Sequence, residues 1–440
     1  MKIAELLPTL QRKLISLDSL LLVGLRTLSK FLLLIFVLLC ARLLSQEDFG
    51  DFQFVDTLTV QALQLLVVAA MIVTRIGCCF PEASRGGNLR WLHDRSHAKM
   101  LLAAAALAAL GVALDPFMRQ TFLVEARWCF AASGLTVGAY MLFCYYMGML
   151  QVLERFRAIG VLFLVMGLVP LALAALLFPG GVDVLEAYAC VSAGTVAATA
   201  AAWLIVRRAL PARPVPVGTA MPRLDFAWVY ILAIGLFLIM HNMDIWATKL
   251  FLDRSGAGYY ARFEFVGKII FMISSSLTII LFPKVGKAHE HGDDPHHYLL
   301  RCLRGFGLLT VLFAGGTIGL FDVISPIMFG KDLSDGLALL SVVILAKSAQ
   351  SLVFILINYE AARGGKSMLP WLAMALALET TLFIVFGISP AAVAASAAVT
   401  ATLTAGALFL KVWKTAPKPR TCSARSQPHI PGNTTGRRGT

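Results

Sequence analysis

Apolar residues run through this chain in blocks of about 20, separated by short polar connections. At 1.5 Å per residue, such a block covers the ~30 Å hydrocarbon core of a bilayer. Backbone N–H and C=O groups in hydrocarbon must be satisfied within their own segment, so each block reads as a helix. The period-two alternation of an outer-membrane barrel is absent. The pattern predicts helices at about 20–40, 54–80, 100–117, 126–150, 158–178, 184–206, 226–251, 259–282, 303–321, 337–360, 369–387 and 390–413. Ahead of the first block, Ile3, Leu6, Leu7, Leu10, Leu14 and Leu17 recur at helical spacing, with Lys2, Arg12 and Lys13 between them. Residues 1–19 therefore read as an amphipathic helix lying on the membrane surface, not as a cleavable signal. The expected class is all-α: a polytopic membrane protein of about 12 transmembrane helices.

Composition supports this reading. The chain is 58% hydrophobic and 14% charged, where a soluble domain carries roughly a quarter charged residues. The net charge of +13 is concentrated in alternate connections. Lys and Arg crowd the N-terminus, the loops near 81–99, 151–157, 207–225, 283–304 and 362–368, and the tail. The other loops hold Arg42, Arg119, Arg127, Arg254 and Lys331. The positive-inside bias then places both termini in the cytoplasm of a bacterial inner membrane. The same charge favours the anionic lipid surface of the bilayer. It is not a nucleic-acid footprint, since no soluble basic domain is present to carry one.

The longest polar connection, residues 207–225, is rich in Pro and Arg and reads as an extended cytoplasmic linker. It divides the chain into an N-lobe over 20–206 and a C-lobe over 226–413, each of six helices. The polar residues 414–440 read as a disordered cytoplasmic tail. The halves repeat each other. Gly50-Asp51-Phe52 follows the first helix as Gly258-Tyr259-Tyr260 follows the seventh. Aligning Gly50 with Gly258 also aligns Asp56 with Glu264, and Phe80-Pro81 and Phe282-Pro283 both stand at the expected end of the next helix. Two pseudo-symmetric six-helix lobes around a midplane site are a common transporter plan.

Two segments carry a further likeness. ARLLSQEDFGDFQF, after the first helix, and NMDIWATKLFLDRSGAGYYARFEFVGKIIFMISSSLTIILFPKVGK, across the seventh and eighth, resemble one branch of a transporter superfamily. The branch is the polysaccharide-export and oligosaccharide flippase group of the multidrug/oligosaccharidyl-lipid/polysaccharide exporters. The resemblance implies two lobes in a V around a cavity lined by helices one, two, seven and eight. It also implies alternating access, with an undecaprenyl-pyrophosphate-linked glycan as substrate. Surface-polysaccharide assembly of that kind brings a polymerase and a chain-length regulator as partners.

Charge inside the bilayer is costly, ~2.5–3.5 kcal/mol per residue at a helix centre on insertion scales, and marks a wet or buried polar site. Arg26 and Lys30 lie four apart on one face of the first helix, with no acid in that helix. Lys268 and Glu264 form a second such pair. Arg75 stands near the end of the second helix. With Lys347 and Glu379 added, the midplane balance is positive, which suits a pyrophosphate. Arg26, Lys30, Lys268, Glu264 and Arg75 are the expected substrate residues. Asp244, Asn242 and Asp56 are the candidates for coupling to a cation. Lys347 and Glu379 are expected to pair between neighbouring helices.

The rival reading within the superfamily is a cation-coupled drug or metabolite exporter, which the cations speak against. A membrane glycan polymerase or transferase is the rival of another class. The outer loops are short and no nucleophile motif, GxGxxG, P-loop or HExxH appears, so no enzyme and no cofactor are expected. Eight cysteines form no CxxC pair. His289–His297 has metal-ligand residue types without zinc spacing, and reads as a solvated loop. The glycine patterns Gly134–Gly138 and Gly315–Gly319 read as helix-packing faces. Pro170 reads as a tolerated helix proline or a gating kink.

Overall fold

A computed structural model describes residues 3–78, 80–81, 84–215, 225–291, 294–330, 333–363, 365 and 367–414, with side chains from Leu21 onward apart from a few within helices. Most of the expected linker, 216–224, and the tail, 415–440, lie outside the described residues. The described residues are mostly helical: α1 (Ile3–Leu43), α2 (Gln46–Cys78), α3 (Arg85–Thr121), α4 (Cys129–Val152), α5 (Phe156–Leu177) and α6 (Val184–Ala209) form the first half. The second holds α7 (Asp225–Phe251), α8 (Arg254–His291), α9 (His296–Gly319), the short α10 (Phe321–Phe329), α11 (Leu337–Ala362), α12 (Leu369–Phe386) and α13 (Pro390–Lys414). Twelve long helices stand where twelve apolar blocks were expected.

Among the described residues, eleven of these helices are long and apolar enough to cross a membrane. The twelfth long helix, α8, runs 38 residues but carries Arg262, Glu264, Lys268 and Lys284. It can be polar because its middle is buried inside the protein. The faces that meet lipid are apolar instead: Leu102, Leu176 and Ile388 are 72%, 76% and 84% exposed. A bilayer inverts the usual burial rule, since apolar surface loses nothing by facing lipid.

α1 is one helix of 41 residues, about 60 Å long and so about twice the hydrocarbon thickness. Within the amphipathic segment read at 1–19, the described residues 3–19 are the N-terminal part of this helix, continuous with the span after it. α3 likewise runs through Pro116 to Thr121, four residues past its expected end. Its Asp115 accepts hydrogen bonds from the Trp128 and Phe130 amides, at 3.4 and 3.1 Å. The carboxylate thereby satisfies orphan donors at the start of α4. At the start of α6, Asp183 and Glu186 form a reciprocal capping box.

The helices sort into two bundles. In the first, α1 packs on α5, α2 on α4, and α3, α5 and α6 complete the set; in the second, α8 and α13 pack on α11, and α7 on α12. The seam is formed mainly by α2 against α8 and α7, with α1 touching α10. Small residues set the close approaches. The Gly134–Gly138 face of α4 meets Gly111 and Ala104 of α3 backbone to backbone. Pro170 of α5 packs on Gly194 of α6, so its ring fills a notch in the neighbouring helix. The Gly315–Gly319 face differs from its expectation: Gly315, Gly316 and Gly319 have nothing within 4 Å of a would-be Cβ. α8 also continues past Phe282-Pro283 to His291. It takes in the first part of the His-rich segment, whose His296 packs against Tyr359 and Trp413.

Candidate functional site at the seam

Two polar layers join the bundles. The first lies where the α1–α2 and α7–α8 turns meet. Gly50 of α2 and Gly258 of α8 touch there, and the Gln46 carbonyl occupies the space a Gly258 side chain would need. Only glycine permits this approach at both positions. Around it, buried Asp51 accepts a short hydrogen bond from Lys249 of α7. Asp51 also pairs with Arg254 of α8 at 2.8 Å. Arg254 reaches Asp48 at 3.3 Å, Glu47 at 3.6 Å and Glu125 at 2.7 Å as well. One guanidinium thus gathers four acids of the first bundle, using its planar fork of donors. Gln46 adds a hydrogen bond to the Ser255 carbonyl at 2.9 Å.

The second layer lies deeper along α8 and holds the membrane charges. Lys347 of α11 is fully buried, 2.9 Å from Asp244 of α7 and 3.2 Å from Glu264 of α8. It also donates to the His241 carbonyl at 2.7 Å. Tyr260 donates to Asp244 at 2.8 Å. Glu264 in turn holds Lys268 at 3.0 Å and accepts from Gln53 of α2 at 3.3 Å. The pairing expected between Lys347 and Glu379 is absent. Lys347 is taken by Asp244 and Glu264, and both oxygens of buried Glu379 lack a hydrogen-bond partner among the described residues. Asp244 and Glu264 sit on helices that flank α11 directly, so they reach the ammonium first.

The structure brings Lys30 and Lys268 to one seam. Lys268 donates to Thr57 of α2 at 2.6 Å, and Lys30 of α1 donates to Ser275 of α8 at 3.3 Å. Ser275 lies two turns beyond Lys268 on the same face of α8. Arg26 stands one turn before Lys30, with its guanidinium 5.1 Å over the Phe163 ring. Neither Arg26 nor Lys30 has an acid partner among the described residues. Arg75 is not part of this group. It is exposed near the end of α2, about 27 Å along the helix from Thr57. Of the coupling candidates, Asp244 is held by Lys347, while Asn242 donates to the Leu238 carbonyl of its own helix. Half-buried Asp56 makes no hydrogen bond or ion pair among the described residues. Thr57, Gln53, Tyr260, Ser275 and the Asp51–Lys249–Arg254 group were not singled out from sequence. Asp51 adjoins the repeated glycine, which was the one available signal.

Solved structures share this fold. A multidrug-resistance MATE family transporter of the MOP superfamily, in an inward-facing conformation, matches with a TM-score of 0.66 at 9% identity, over 88% of this chain and 94% of that one. The fold is that of the MATE transporters of the MOP superfamily. A mutant of the Vibrio cholerae MATE transporter VcmN matches at 0.59 with 16% identity, over 92% and 97% of the two chains. A MOP superfamily transporter from Pyrococcus furiosus matches at 0.54 with 13% identity, over 91% and 94%. Its binding pocket is described as having reverse polarity, taken to suggest a different function. Neither a protein-family model nor a curated protein matches the sequence. In this chain's version of the MATE fold, Arg26, Lys30 and Lys268 stand in the deeper part of the seam, and of these three Lys268 alone has an acid partner among the described residues.

Proposed function

We propose that this chain is a membrane transporter working by alternating access between its two bundles, with Arg26, Lys30 and Lys268 holding an anionic substrate at the seam. The supporting observation is the Arg26–Lys30 face. Two cations stand one turn apart without an acid, and Lys30 reaches across to α8. A diphosphate offers several acceptor oxygens and the opposite charge, and Arg adds a bidentate fork. The substrate this reading favours is an undecaprenyl-pyrophosphate-linked oligosaccharide, moved from the cytoplasmic to the periplasmic leaflet of an inner membrane. On this reading the Gly50–Gly258 end faces the periplasm.

The second reading is a cation-coupled drug or metabolite exporter. The solved neighbours speak more directly for it, since several are described as multidrug transporters. The Arg26–Lys30 face, which has no acid partner among the described residues, favours the anionic substrate. One comparison separates the two. Proteoliposomes carrying wild type or the Arg26→Ala, Lys30→Ala double variant are assayed for translocation of a prenyl-diphosphate glycan and for efflux of a cationic dye. Glycan translocation lost in the variant supports the flippase. Dye efflux by both proteins, with no glycan movement, establishes the drug exporter.

A further inference from the structure

Two of the three cations assigned to the substrate, Lys30 and Lys268, also tie the two bundles together, and they do so reciprocally. Lys30 belongs to the first bundle and donates to Ser275 of the second. Lys268 belongs to the second and donates to Thr57 of the first. Thr57 is buried and Ser275 half-buried, and neither carries charge. Each hydroxyl accepts from an ammonium that has no full-time carboxylate of its own, and Ser275 donates its own hydrogen bond to the Met272 carbonyl at 2.9 Å. Lys30 has none among the described residues, and Lys268 shares Glu264 with Lys347.

We infer that Thr57 and Ser275 are positioning residues that hold the substrate lysines across the seam, so that an anion binding to both lysines unfastens the bundles at this depth. This rests on the anionic-substrate reading above. An ammonium has three donors, but an incoming diphosphate outcompetes a neutral hydroxyl, because it adds the attraction of opposite charges in a low-dielectric seam. Lys30 and Lys268 then turn to the ligand and both crossing bonds are lost together. The Asp51–Lys249–Arg254 layer is untouched by this exchange, since it lies at the other end of the α2–α8 contact. Binding therefore loosens the middle of the seam while the end stays tied. In the empty protein the crossing bonds oppose binding by holding the lysines in place.

Linkage gives the inference a sign. Removing the acceptors destabilises the empty state alone, so affinity must rise by the same factor. The test uses full-length protein in lipid nanodiscs and farnesyl diphosphate as a soluble probe, with affinity by calorimetry and melting temperature with and without probe. Thr57→Val with Ser275→Ala keeps the volume close and deletes both hydroxyls. This variant is expected to bind the probe about tenfold tighter. Its empty form should melt lower than wild type, and its probe-bound form at the wild-type temperature. Thr57→Ser, which keeps the hydroxyl, should bind as wild type does and guards against a packing effect. Unchanged or weaker binding by the Thr57→Val, Ser275→Ala variant would overturn the inference. Lys30→Met with Lys268→Met is the other arm. If it binds the probe as wild type does, the anion reading itself fails. If it loses binding while the acceptor variant shows no gain, only the positioning role fails.

Discussion

Gly50 and Gly258 meet across the seam with only backbone between them; a methyl group on Gly50 would lie 2.8 Å from the Gly258 Cα. The sequence repeat makes these residues counterparts. A residue that touches its own counterpart sits beside the axis relating the two halves. That axis therefore passes beside the end of the α2–α8 contact where the two glycines meet.

Substitution at this point should keep that end from closing. Gly50→Ala pushes a Cβ into backbone that cannot move aside, and Gly50→Val more so. Transport should fall at least tenfold for Gly50→Val, with normal membrane insertion. Gly305→Ala, where a Cβ meets nothing within 4 Å, should transport as wild type does. Equal activity of all three would show that the close approach is dispensable.

Asp51 is the partner on which Lys249 depends. Both are buried, and removing one member of a buried pair costs about 3–5 kcal/mol because the other is left uncompensated. Asp51→Ala should lower the melting temperature of the detergent-solubilised protein. Replacing both, Asp51→Leu with Lys249→Met, should recover most of the loss. Additive damage in the double variant would mean the two residues act separately.

The same logic applies at the deeper layer. Lys347→Met leaves Asp244 and Glu264 facing each other without their shared cation, and about 3–5 kcal/mol of stability should be lost. Adding Asp244→Asn removes one surplus charge and should restore part of it. A double-mutant cycle on melting in denaturant would give the coupling, and a value near zero would contradict the 2.9 Å pair.

Topology follows from the charge bias of the loops. Reporter fusions after Arg207 and after Trp413 should both report cytoplasm, and one near Asp183 the periplasm. A periplasmic signal from the C-terminal fusion would contradict the paired orientation of the twelve long helices.

The helices were readable from sequence because a bilayer demands long apolar runs, and hydropathy is local information. The ends were less so. Pro116 does not stop α3, which runs on to Thr121. Phe282-Pro283 does not stop α8. Buried charges announced themselves by their cost in lipid, which is why Lys30, Lys268, Glu264, Asp244 and Lys347 stood out. Their partners did not. Whether Lys347 turns to Glu379 or to Asp244 depends on helix rotation, which a sequence window of one helix does not contain. Thr57 and Ser275 are ordinary residues for a membrane helix and gave no signal at all. Arg254 lay in a loop, where a charge costs nothing and so attracts no notice.

α8 is unbroken from Arg254 to His291, and it touches the first bundle at Gly258, Glu264, Lys268 and Ser275 in turn. A stiff rod pinned at one end is a lever. From Gly258 to its far end it measures about 50 Å, so a tilt of about 10° swings that end by about 9 Å. The fulcrum needs hardly any displacement to produce a wide opening at the opposite face. Leverage of this kind depends on the rod not bending, and a second proline placed between Lys268 and Ser275 would let the handle move without turning the pivot.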